Sequence, residues 1–468
     1  MDNVKMNRPR KKFIFPHTYV IIGLILVFVT ILTYIIPAGQ YQRVEREDGQ
    51  VVVLSDSFEF IEQSPVGPWD MVKAVVEGMV QSADIIFFVF FAYGLVYMLI
   101  QTGAFFGGIG NLIRKMRGRE WLIFPVMMLL LGACGSTFGL YEETYGLLPV
   151  FIGIGIALGY DGLVGGAAVV LGVATGFATA TLNPFTIGIA QGIAQVPLGS
   201  GLGFRFFCFV LFEGLVITYL LRYAHKVKQD PNKSIVRDVT FSVDEGMTRE
   251  EMEALPFNGR QKLIIFLFVL TIGILIYGTT QLGWYLTELS ALFFLMSFVV
   301  GLVGGYNCSE ICGFLIKAAS EVIFGALAVG VARSMSIVMD QGNITDTVVY
   351  YLTGLLQGLP KEIAAIGMVL VQNCINFFIP SGSANAAATM PIMAPLADSV
   401  GLNRQIAVLA FQFGDGFSNI FWPTSVATEC GLMGIPIQKW YRFVAPLFGM
   451  ILLLQIIMVA FAAAINFS

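Results

Sequence analysis

The stretch GFATATLNP (residues 176–184) lies in a long uncharged region and is echoed 240 residues further along the chain. GFSN (residues 416–419) has the same spacing of small and polar residues, and Pro423 follows it as Pro184 follows the first copy. Proline lacks the backbone N–H that a helix needs, and glycine permits close approach of two backbones. Each copy therefore predicts a helix that is interrupted and then resumes.

A second pair of breaks precedes these two. Gly-Ser-Thr (residues 135–137) in the first half corresponds to Ser-Gly-Ser (residues 381–383) in the second half, and each opens a break in a hydrophobic run. The sequence therefore predicts an internal repeat with two interrupted segments in each half.

The composition is that of a membrane protein. Of the 468 residues, 56% are hydrophobic and 12% are charged, and the mean hydropathy is +0.78. Soluble domains carry about 25% charged residues. The runs 162–204 and 363–397 contain no charge, and each exceeds the roughly 20 residues that cross a bilayer once. Each run must hold several membrane elements or turn inside the membrane. Nothing here indicates a nucleic-acid partner; the lipid bilayer is the expected one.

Basic clusters predict the orientation in the cell inner (cytoplasmic) membrane. Five Lys and Arg residues lie at positions 5–12, before the first apolar segment at 17–37, and others lie at 114–119 and 222–228. Such clusters stay in the cytoplasm. The first segment is too long for a signal peptide and predicts an uncleaved helix. The N-terminus is therefore expected in the cytoplasm and, by counting spans, the C-terminus outside.

The predicted fold is an all-α polytopic membrane protein with an inverted structural repeat, two hairpin segments and two broken transmembrane helices. The first repeat covers residues 1–222, with a hairpin segment at 121–158 and a broken helix at 162–194. A cytoplasmic linker spans 223–262. Residues 263–468 hold an extra span and the second repeat, with the corresponding segments at 361–400 and 404–433. The extra span at 263–281 makes the second repeat start from the opposite side.

Several details of this topology are left open or are finer predictions. The pattern does not distinguish re-entrant hairpins from pairs of full spans at 121–158 and 361–400. Amphipathic helices are expected at about 69–81 and 307–319, with a separate span at 321–341. An alternating stretch at 49–60 is consistent with a short hairpin outside the membrane.

Interrupted helices in inverted repeats form the substrate sites of many secondary transporters, near the middle of the membrane. A broken helix exposes N–H and C=O groups that a bound ion or solute can satisfy. The predicted substrate-binding residues are Ser136, Thr137, Glu142, Glu143, Asn183, Ser381, Ser383, Asn385, Asp415, Asn419, Thr424 and Ser425. A sodium ion is predicted near Ser136, Thr137, Asn183, Ser383 and Asn419. The alternatives are that the small residues only pack helices together, and that the Glu142–Glu143 pair lies in a solvated loop.

The charge of the predicted site limits its ligand. The site region carries acidic residues and no Lys or Arg, and Arg333 is expected to pair with Asp340 on the same helix. A buried acidic residue in a membrane marks function by default. Such a pocket suits a cationic solute such as arginine or ornithine, or a coupling Na+ or H+ that lets a zwitterion or an anion bind.

Other classes of protein find little support in the sequence. It contains no P-loop, and neither H-E-x-x-H nor G-x-S-x-G occurs, so an enzyme is not expected. Two distant histidines and six cysteines in or beside apolar segments give no zinc motif, and no cofactor is predicted. A passive channel remains an alternative to a transporter.

Four long motifs resemble the anaerobic C4-dicarboxylate carrier-like family, and most closely its YfcC-like group, described as basic amino acid antiporters. The motifs are YEETYGLLP (141–149), TLNPFTIGIAQGIAQVPLG (181–199), NFFIPSGSANAAATMPIMAPLAD (376–398) and AVLAFQFGDGFSNIFWPTS (407–425). The resemblance implies two re-entrant hairpins, a homodimer and an elevator-like movement. It also implies that the tips at 135–143 and 381–385 bind substrate and often sodium. Glu429 departs from the small or apolar residue expected there.

The expected function is a secondary active transporter of small organic solutes, with exchange of basic amino acids such as arginine and ornithine ahead of other substrates. The alternatives are a sodium- or proton-coupled C4-dicarboxylate transporter and the passive channel.

Overall fold

The computed structural model describes residues 18–45, 51–54, 56–116, 118–241 and 257–468. The basic cluster at 5–12, Arg117, part of the predicted outer hairpin (49, 50 and 55) and linker residues 242–256 lie outside the described residues. The helices of the first half are α1 (Thr18–Ile35), α2 (Pro68–Gln81), α3 (Ala83–Gln101), α4 (Ala104–Lys115), α5 (Ile123–Phe138), α6 (Leu148–Ala157), α7 (Gly162–Ala178), α8 (Ile189–Ala194) and α9 (Leu202–Gln229).

The second half repeats this order after one additional helix. Its helices are α10 (Gly259–Gln281), α11 (Leu286–Gly304), α12 (Cys308–Gln341), α13 (Thr345–Gly354), α14 (Lys361–Phe378), α15 (Gly382–Ser399), α16 (Arg404–Ser418), α17 (Pro423–Met433) and α18 (Ile437–Ala464). The pairs α5/α6 and α14/α15 are the two hairpins. The pairs α7/α8 and α16/α17 are the two broken helices.

Seven of the described helical segments are long and apolar enough to cross a membrane. They are Ala83–Gln101, Glu120–Phe138, Leu202–Gln229, Gly259–Thr279, Leu286–Gly304, Cys308–Gln341 and Ile437–Ala464. The chain is therefore a multi-pass membrane protein, and the predicted all-α fold class is confirmed.

A small strand region connects α1 to α2. Strand β1 (Gly39–Gln40) pairs with β4 (Glu59–Phe60), and β2 (Arg43–Glu45) pairs with β3 (Val51–Val53), all antiparallel. The two described strands of the stretch 49–60, β3 and β4, pair with β2 and β1 and not with each other. The hairpin predicted there is therefore placed differently. Asp346 on α13 fastens this region: its carboxylate accepts the Tyr41 N–H and an Arg43 N–H.

One element differs from its prediction. The amphipathic helix expected at 307–319 and the span expected at 321–341 form one continuous helix, α12. The sequence between them, Ala-Ala-Ser-Glu (318–321), has no helix-breaking residue, which explains the continuity. In the first half, by contrast, the corresponding helices α2 and α3 are separate elements on either side of Ser82.

The two predicted breaks have the expected local chemistry. Helix α7 ends at Ala178 and a π turn resumes at Pro184, while α16 ends at Ser418 and α17 begins at Pro423. Proline suits the first position of a helix, where its missing N–H is not needed. Asn183 precedes Pro184, and its side-chain oxygen accepts the Phe185 N–H at 2.9 Å.

The first broken helix packs tightly against its neighbours through glycines. A Cβ atom placed on Gly176 would lie 1.9 Å from the Gly132 carbonyl oxygen of α5. The two broken helices also meet closely, because a Cβ atom on Gly416 would lie 2.3 Å from the Ala178 Cα. Small residues at such crossings let helix backbones approach in membranes.

Gly176→Ala is expected to lower the thermal stability of the purified protein, since the added methyl group must push α5 and α7 apart. Overpacking of this kind costs about 1–3 kcal/mol or more. The control is Gly214→Ala on α9, where an added Cβ meets nothing within 4 Å. Equal unfolding temperatures for the two variants would contradict the packing described here.

Candidate functional site

A cavity of about 550 Å³ lies where both hairpins and both broken helices converge. We call residues 139–147 between α5 and α6 the first tip, and residues 379–383, which join α14 to α15 and include the first two residues of α15, the second tip. The first break is 179–183 and the second break is 419–422. Both tips line the cavity, as do residues on the C-terminal side of both breaks and parts of α2, α3 and α12.

The predicted site residues divide into two groups. Those that line the cavity are Glu142, Glu143, Ser381, Ser383, Asn419, Thr424 and Ser425. The other five do not line it: Ser136, Asn183, Asn385 and Asp415 are buried, and Thr137 is partly exposed.

The two adjacent glutamates of the first tip have different surroundings. The Glu143 carboxylate is buried and accepts the Tyr141 backbone N–H at 2.9 Å, and Thr144 Oγ1 donates to the Tyr141 carbonyl at 2.7 Å. Glu143 therefore closes the turn of the tip. Glu142 makes no side-chain hydrogen bond within the described chain, which leaves its carboxylate available to a solute in the cavity.

The cavity contains a basic residue, so the prediction of a site without Lys or Arg is wrong. Arg333 of α12 lines the cavity, and its Nε donates to Gln81 Oε1 at 3.3 Å. Asp340, its predicted partner, accepts Thr345 Oγ1 at 2.9 Å instead. Seven residues of helix separate Arg333 from Asp340 by about 10 Å, which accounts for the missing pair.

Sequence reasoning also missed other cavity residues. Asp84 of α3 contributes a third carboxylate, and the aromatic rings of Tyr141, Tyr145 and Tyr285 line the wall. Asp84 lies at the start of an apolar span that directly follows an amphipathic helix. An acidic residue in that position could have been recognised as a candidate site residue from the sequence. The described lining therefore carries three carboxylates and one guanidinium group.

Ser136 stabilises the first break from behind. Its carbonyl oxygen accepts the backbone N–H groups of Thr181, Leu182 and Asn183 at 2.9, 3.1 and 3.2 Å. Its hydroxyl lies 3.0 Å from Thr181 Oγ1. The polar groups that the break exposes are thus satisfied by the neighbouring hairpin, as the membrane interior requires. Thr137 is turned to its own helix and donates to the Ala133 carbonyl at 2.6 Å.

An unpredicted residue, Asn376 of α14, holds the second break. Its Nδ2 donates to the Asp415 carbonyl oxygen, to Ser418 Oγ and to Asn419 Oδ1 at 2.9, 2.7 and 2.9 Å. Asn419 Oδ1 also accepts Ser425 Oγ at 3.2 Å. The amide of Asn376 therefore has the same function in the second half as the Ser136 carbonyl in the first.

Asp415 lies directly beneath the second tip. Asn385 Nδ2 donates to its Oδ1 at 3.0 Å, while its Oδ2 is buried and has no partner within the described residues. A Cβ atom on Gly382 would lie 3.1 Å from that Oδ2. The carboxylate thus links α16 to the start of α15.

Glu429 connects the two halves behind the cavity. Its Oε1 accepts the Tyr141 hydroxyl at 2.8 Å. Glu429 belongs to α17 of the second half and Tyr141 to the first tip, and the Tyr141 ring packs edge-on against Phe177 at 5.3 Å. Glu429, at a position where the resemblance predicts a small or apolar residue, therefore holds part of the cavity wall.

A helical membrane protein whose two hairpins and two broken helices meet at a polar cavity has the architecture of a membrane transporter. The chain belongs to the DcuC family, the C4-dicarboxylate anaerobic carriers, whose family model matches residues 15–464. The resemblance seen in the sequence is thereby confirmed.

Two relatives match over nearly the whole chain. An uncharacterized protein of Haemophilus influenzae is 30% identical, over 96% of this chain and 97% of its own length. A protein of Escherichia coli named "Putative basic amino acid antiporter YfcC" is 29% identical, over 98% of both chains.

Two solved transporter structures are similar at low sequence identity. MtrF of Neisseria gonorrhoeae is 16% identical with a TM-score of 0.41, over 96% of this chain and 95% of its own. The YdaH transporter of Alcanivorax borkumensis is 14% identical with a TM-score of 0.42, over 96% and 99%.

Proposed function

We propose that this transporter exchanges basic amino acids, such as arginine and ornithine, through the cavity between the two tips. The observation that carries the proposal is the charge of the lining, which includes Asp84, Glu142, Glu143 and Arg333. A basic amino acid carries two cationic groups and one carboxylate. Its charges are therefore complementary to three carboxylates and one guanidinium group. In this function the protein moves the solute and catalyses no chemical reaction.

The lining allows an orientation for such a substrate. In the proposed pose the α-carboxylate pairs with Arg333 and accepts hydrogen bonds from Ser381 and Ser383, since a guanidinium group binds carboxylates in a two-pronged geometry. The cationic groups lie towards Glu142 and Asp84. The cavity volume of about 550 Å³ falls in the usual range of about 300–1,000 Å³ for small-molecule sites.

A second candidate substrate is a C4-dicarboxylate, which the family description favours. Arg333 and the hydroxyl groups of the second tip would bind one carboxylate. The three acidic residues would repel the dianion, so coupling cations would have to enter with it. Ser136 and Asn419 already use their oxygens in protein hydrogen bonds. Thr424 Oγ1 has no partner among the described residues, which favours it among the cavity hydroxyls as a sodium ligand.

A thermal-shift screen of the purified protein distinguishes the two substrate classes. A ligand at 100 times its Kd stabilises the native state by about 2.7 kcal/mol. Arginine and ornithine are expected to raise the unfolding temperature, and glutamine is the matched neutral control. Stabilisation by succinate or fumarate, with or without sodium, and none by arginine would refute the proposal in favour of the dicarboxylate.

Alternating access is proposed to occur by an elevator-like movement of one helical unit against another. The moving unit comprises α5–α9 and α14–α18, and the static unit comprises α1–α4 and α10–α13, which would also form the homodimer. The two units meet mainly where α12 packs on α17, where α3 packs on the first tip and where α13 packs on α14 and α15. Helix α6 has ten residues and is about 15 Å long, half the hydrocarbon thickness, which supports a re-entrant first hairpin. The proposed location is the inner membrane, with a cytoplasmic N-terminus.

Gly325→Ala is expected to slow exchange strongly while arginine binding persists, because the moving and static units touch there through backbone. A Cβ atom on Gly325 would lie 2.5 Å from the Leu432 nitrogen of α17. Gly313→Ala on the same helix is the control, since its Cβ would meet nothing within 4 Å. Unchanged exchange rates in both variants would argue against movement along the α12–α17 contact.

A further inference from the structure

Glu213 is an isolated carboxyl group in the interior of the protein. It lies on α9, is 0% exposed, and neither of its side-chain oxygens has a hydrogen-bond partner in the part of the chain that the structure describes. Eleven residues of helix separate it from Leu202, a rise of about 16 Å, which is close to half the hydrocarbon thickness. The carboxyl group is therefore far from both ends of a helix that is long enough to cross the membrane.

The surroundings of Glu213 are the crossing of α5 and α7. A Cβ atom on Gly132 would lie 3.3 Å from Glu213 Oε2 and 3.2 Å from the Gly172 carbonyl oxygen. Gly132 is one helical turn from Ser136, whose carbonyl holds the first break. Glu213 thus lies behind the first break and does not line the substrate cavity.

Within the described residues, no ionisable group on α9 or on the helices packed against it forms a hydrogen bond with Glu213. On α9 itself, Arg205 donates to the Ser200 carbonyl and to Gln405, and the other buried ionisable group is Cys208. Helix α5 contributes Cys134 alone, and α7 contributes none.

Helices α18 and α16 also pack against α9. On α18, Lys439 donates to the Ile235 carbonyl and Tyr441 to the Phe421 carbonyl, and Arg442 is near the same end of the helix. On α16, Asp415 is bonded to Asn385 and Arg404 to Asp398. Within the described residues, then, no cation forms a pair with Glu213.

An unpaired carboxylate in this position would be costly, since an isolated buried charge is disfavoured by several kcal/mol or more. A metal ion would need several oxygen ligands. The contacts around Gly132 supply only the Gly172 carbonyl oxygen besides Glu213 Oε2. A proton neutralises the group and needs no further ligand. We infer that Glu213 is a proton-binding site, separate from the substrate cavity, that takes up and releases one proton in each transport cycle.

The position of this site explains how the proton acts on transport. Proton release leaves a negative charge between α5 and α7, next to the turn that carries Ser136. The charge disfavours the close glycine packing at Gly132, and so changes the stability of the first break and the first tip. Proton uptake restores that packing. Glu213 is fully buried in this structure, so the carboxylate oxygen exchanges its proton with water when the crossing of α5 and α7 opens during the cycle, and no other bond is made or broken.

Infrared difference spectroscopy of the reconstituted protein tests proton binding without any substrate. The difference between the wild-type and Glu213→Gln spectra is expected to show a carboxylic acid C=O band that is lost as pH is raised, because the other buried carboxyl groups, Glu143, Asp415 and Glu429, are common to both proteins. Gly132→Ala, which crowds the carboxyl group, should shift the pH at which the band disappears, while Gly214→Ala should leave it unchanged. A difference band that persists at all pH values, or the absence of any difference band, would overturn the assignment.

The coupling part of the inference rests on the proposed function, and a second measurement tests it on the same vesicles. Glu213→Gln is expected to keep arginine exchange at equal pH and to lose the stimulation of net arginine uptake by a pH gradient. Full stimulation in Glu213→Gln would overturn the coupling role. Absence of arginine transport by the wild type would instead refute the proposed substrate, and the infrared titration would still decide whether Glu213 binds a proton.

Discussion

Glu142→Gln is expected to lower the rate of arginine exchange by roughly 100-fold, while the unfolding temperature of the purified protein stays unchanged. Loss of one partner from a desolvated charge pair costs about 2–5 kcal/mol, and each 1.4 kcal/mol is about tenfold. Glutamine keeps the size of the side chain and removes only its charge. Stability should survive, because Glu142 makes no side-chain hydrogen bond to the described protein. Exchange of labelled arginine in proteoliposomes measures the effect.

The neighbouring glutamate provides the matched control. Glu143 accepts the Tyr141 N–H, and the amide oxygen of a Glu143→Gln variant can accept the same hydrogen bond. This variant should therefore lose less activity than Glu142→Gln. Glu143→Ala should lower the stability, because the buried N–H of Tyr141 loses its partner. Normal exchange in Glu142→Gln would contradict the electrostatic account of the cavity.

Arg333→Gln is expected to weaken arginine binding by about 10- to 100-fold, because the α-carboxylate loses its charge-assisted hydrogen bonds. The decarboxylated analogue agmatine has no group for Arg333 to bind, so its inhibition of exchange should not weaken in this variant. Arg333→Lys should be intermediate, since lysine keeps the charge and lacks the planar fork. Competition by both compounds in the same exchange assay gives the comparison.

Equal losses for arginine and agmatine would show that Arg333 supports the cavity wall and does not recognise the carboxylate. Its hydrogen bond to Gln81 makes this a real alternative. Gln81→Ala removes that bond alone and separates the two functions. A defect in Gln81→Ala as large as that in Arg333→Gln would favour the structural role.

The helix breaks were predictable from sequence because their chemistry is local. Pro184 and Pro423 each start a helical segment, and Asn183 caps the turn that follows it. Such preferences depend on the residues within one or two turns. The ends of the broken helices accordingly fall where the proline, glycine and asparagine residues predict them.

The contents of the cavity were less predictable, because they depend on how helices rotate against one another. Ser136 belongs to a predicted tip, yet its carbonyl faces the first break and not the cavity. Arg333 lies on a helix whose cavity-facing side is fixed by packing against α1, α2, α3 and α17. The residue types pointed to a polar site, but the side of each helix that meets the solute is a tertiary property.

The isolated Glu213 is a second feature that the sequence alone does not predict. A single Glu in an apolar helix marks function by default, but the sequence does not tell whether a partner compensates it. Only the packing of α5, α7 and α9 reveals a carboxyl group without one. Similarly, Asn376 is one of several amides in α14, and its contacts alone identify it as the residue that holds the second break.

Counterflow in proteoliposomes tests the central claim, exchange of basic amino acids, most directly. Vesicles containing the purified wild-type protein are preloaded with unlabelled ornithine, arginine, succinate or buffer, and uptake of labelled arginine from outside is followed over time. Ornithine and arginine inside should each produce a transient accumulation of label above equilibrium, whereas succinate and buffer should not. A passive channel would show no such stimulation, and stimulation by succinate in place of ornithine would contradict the account.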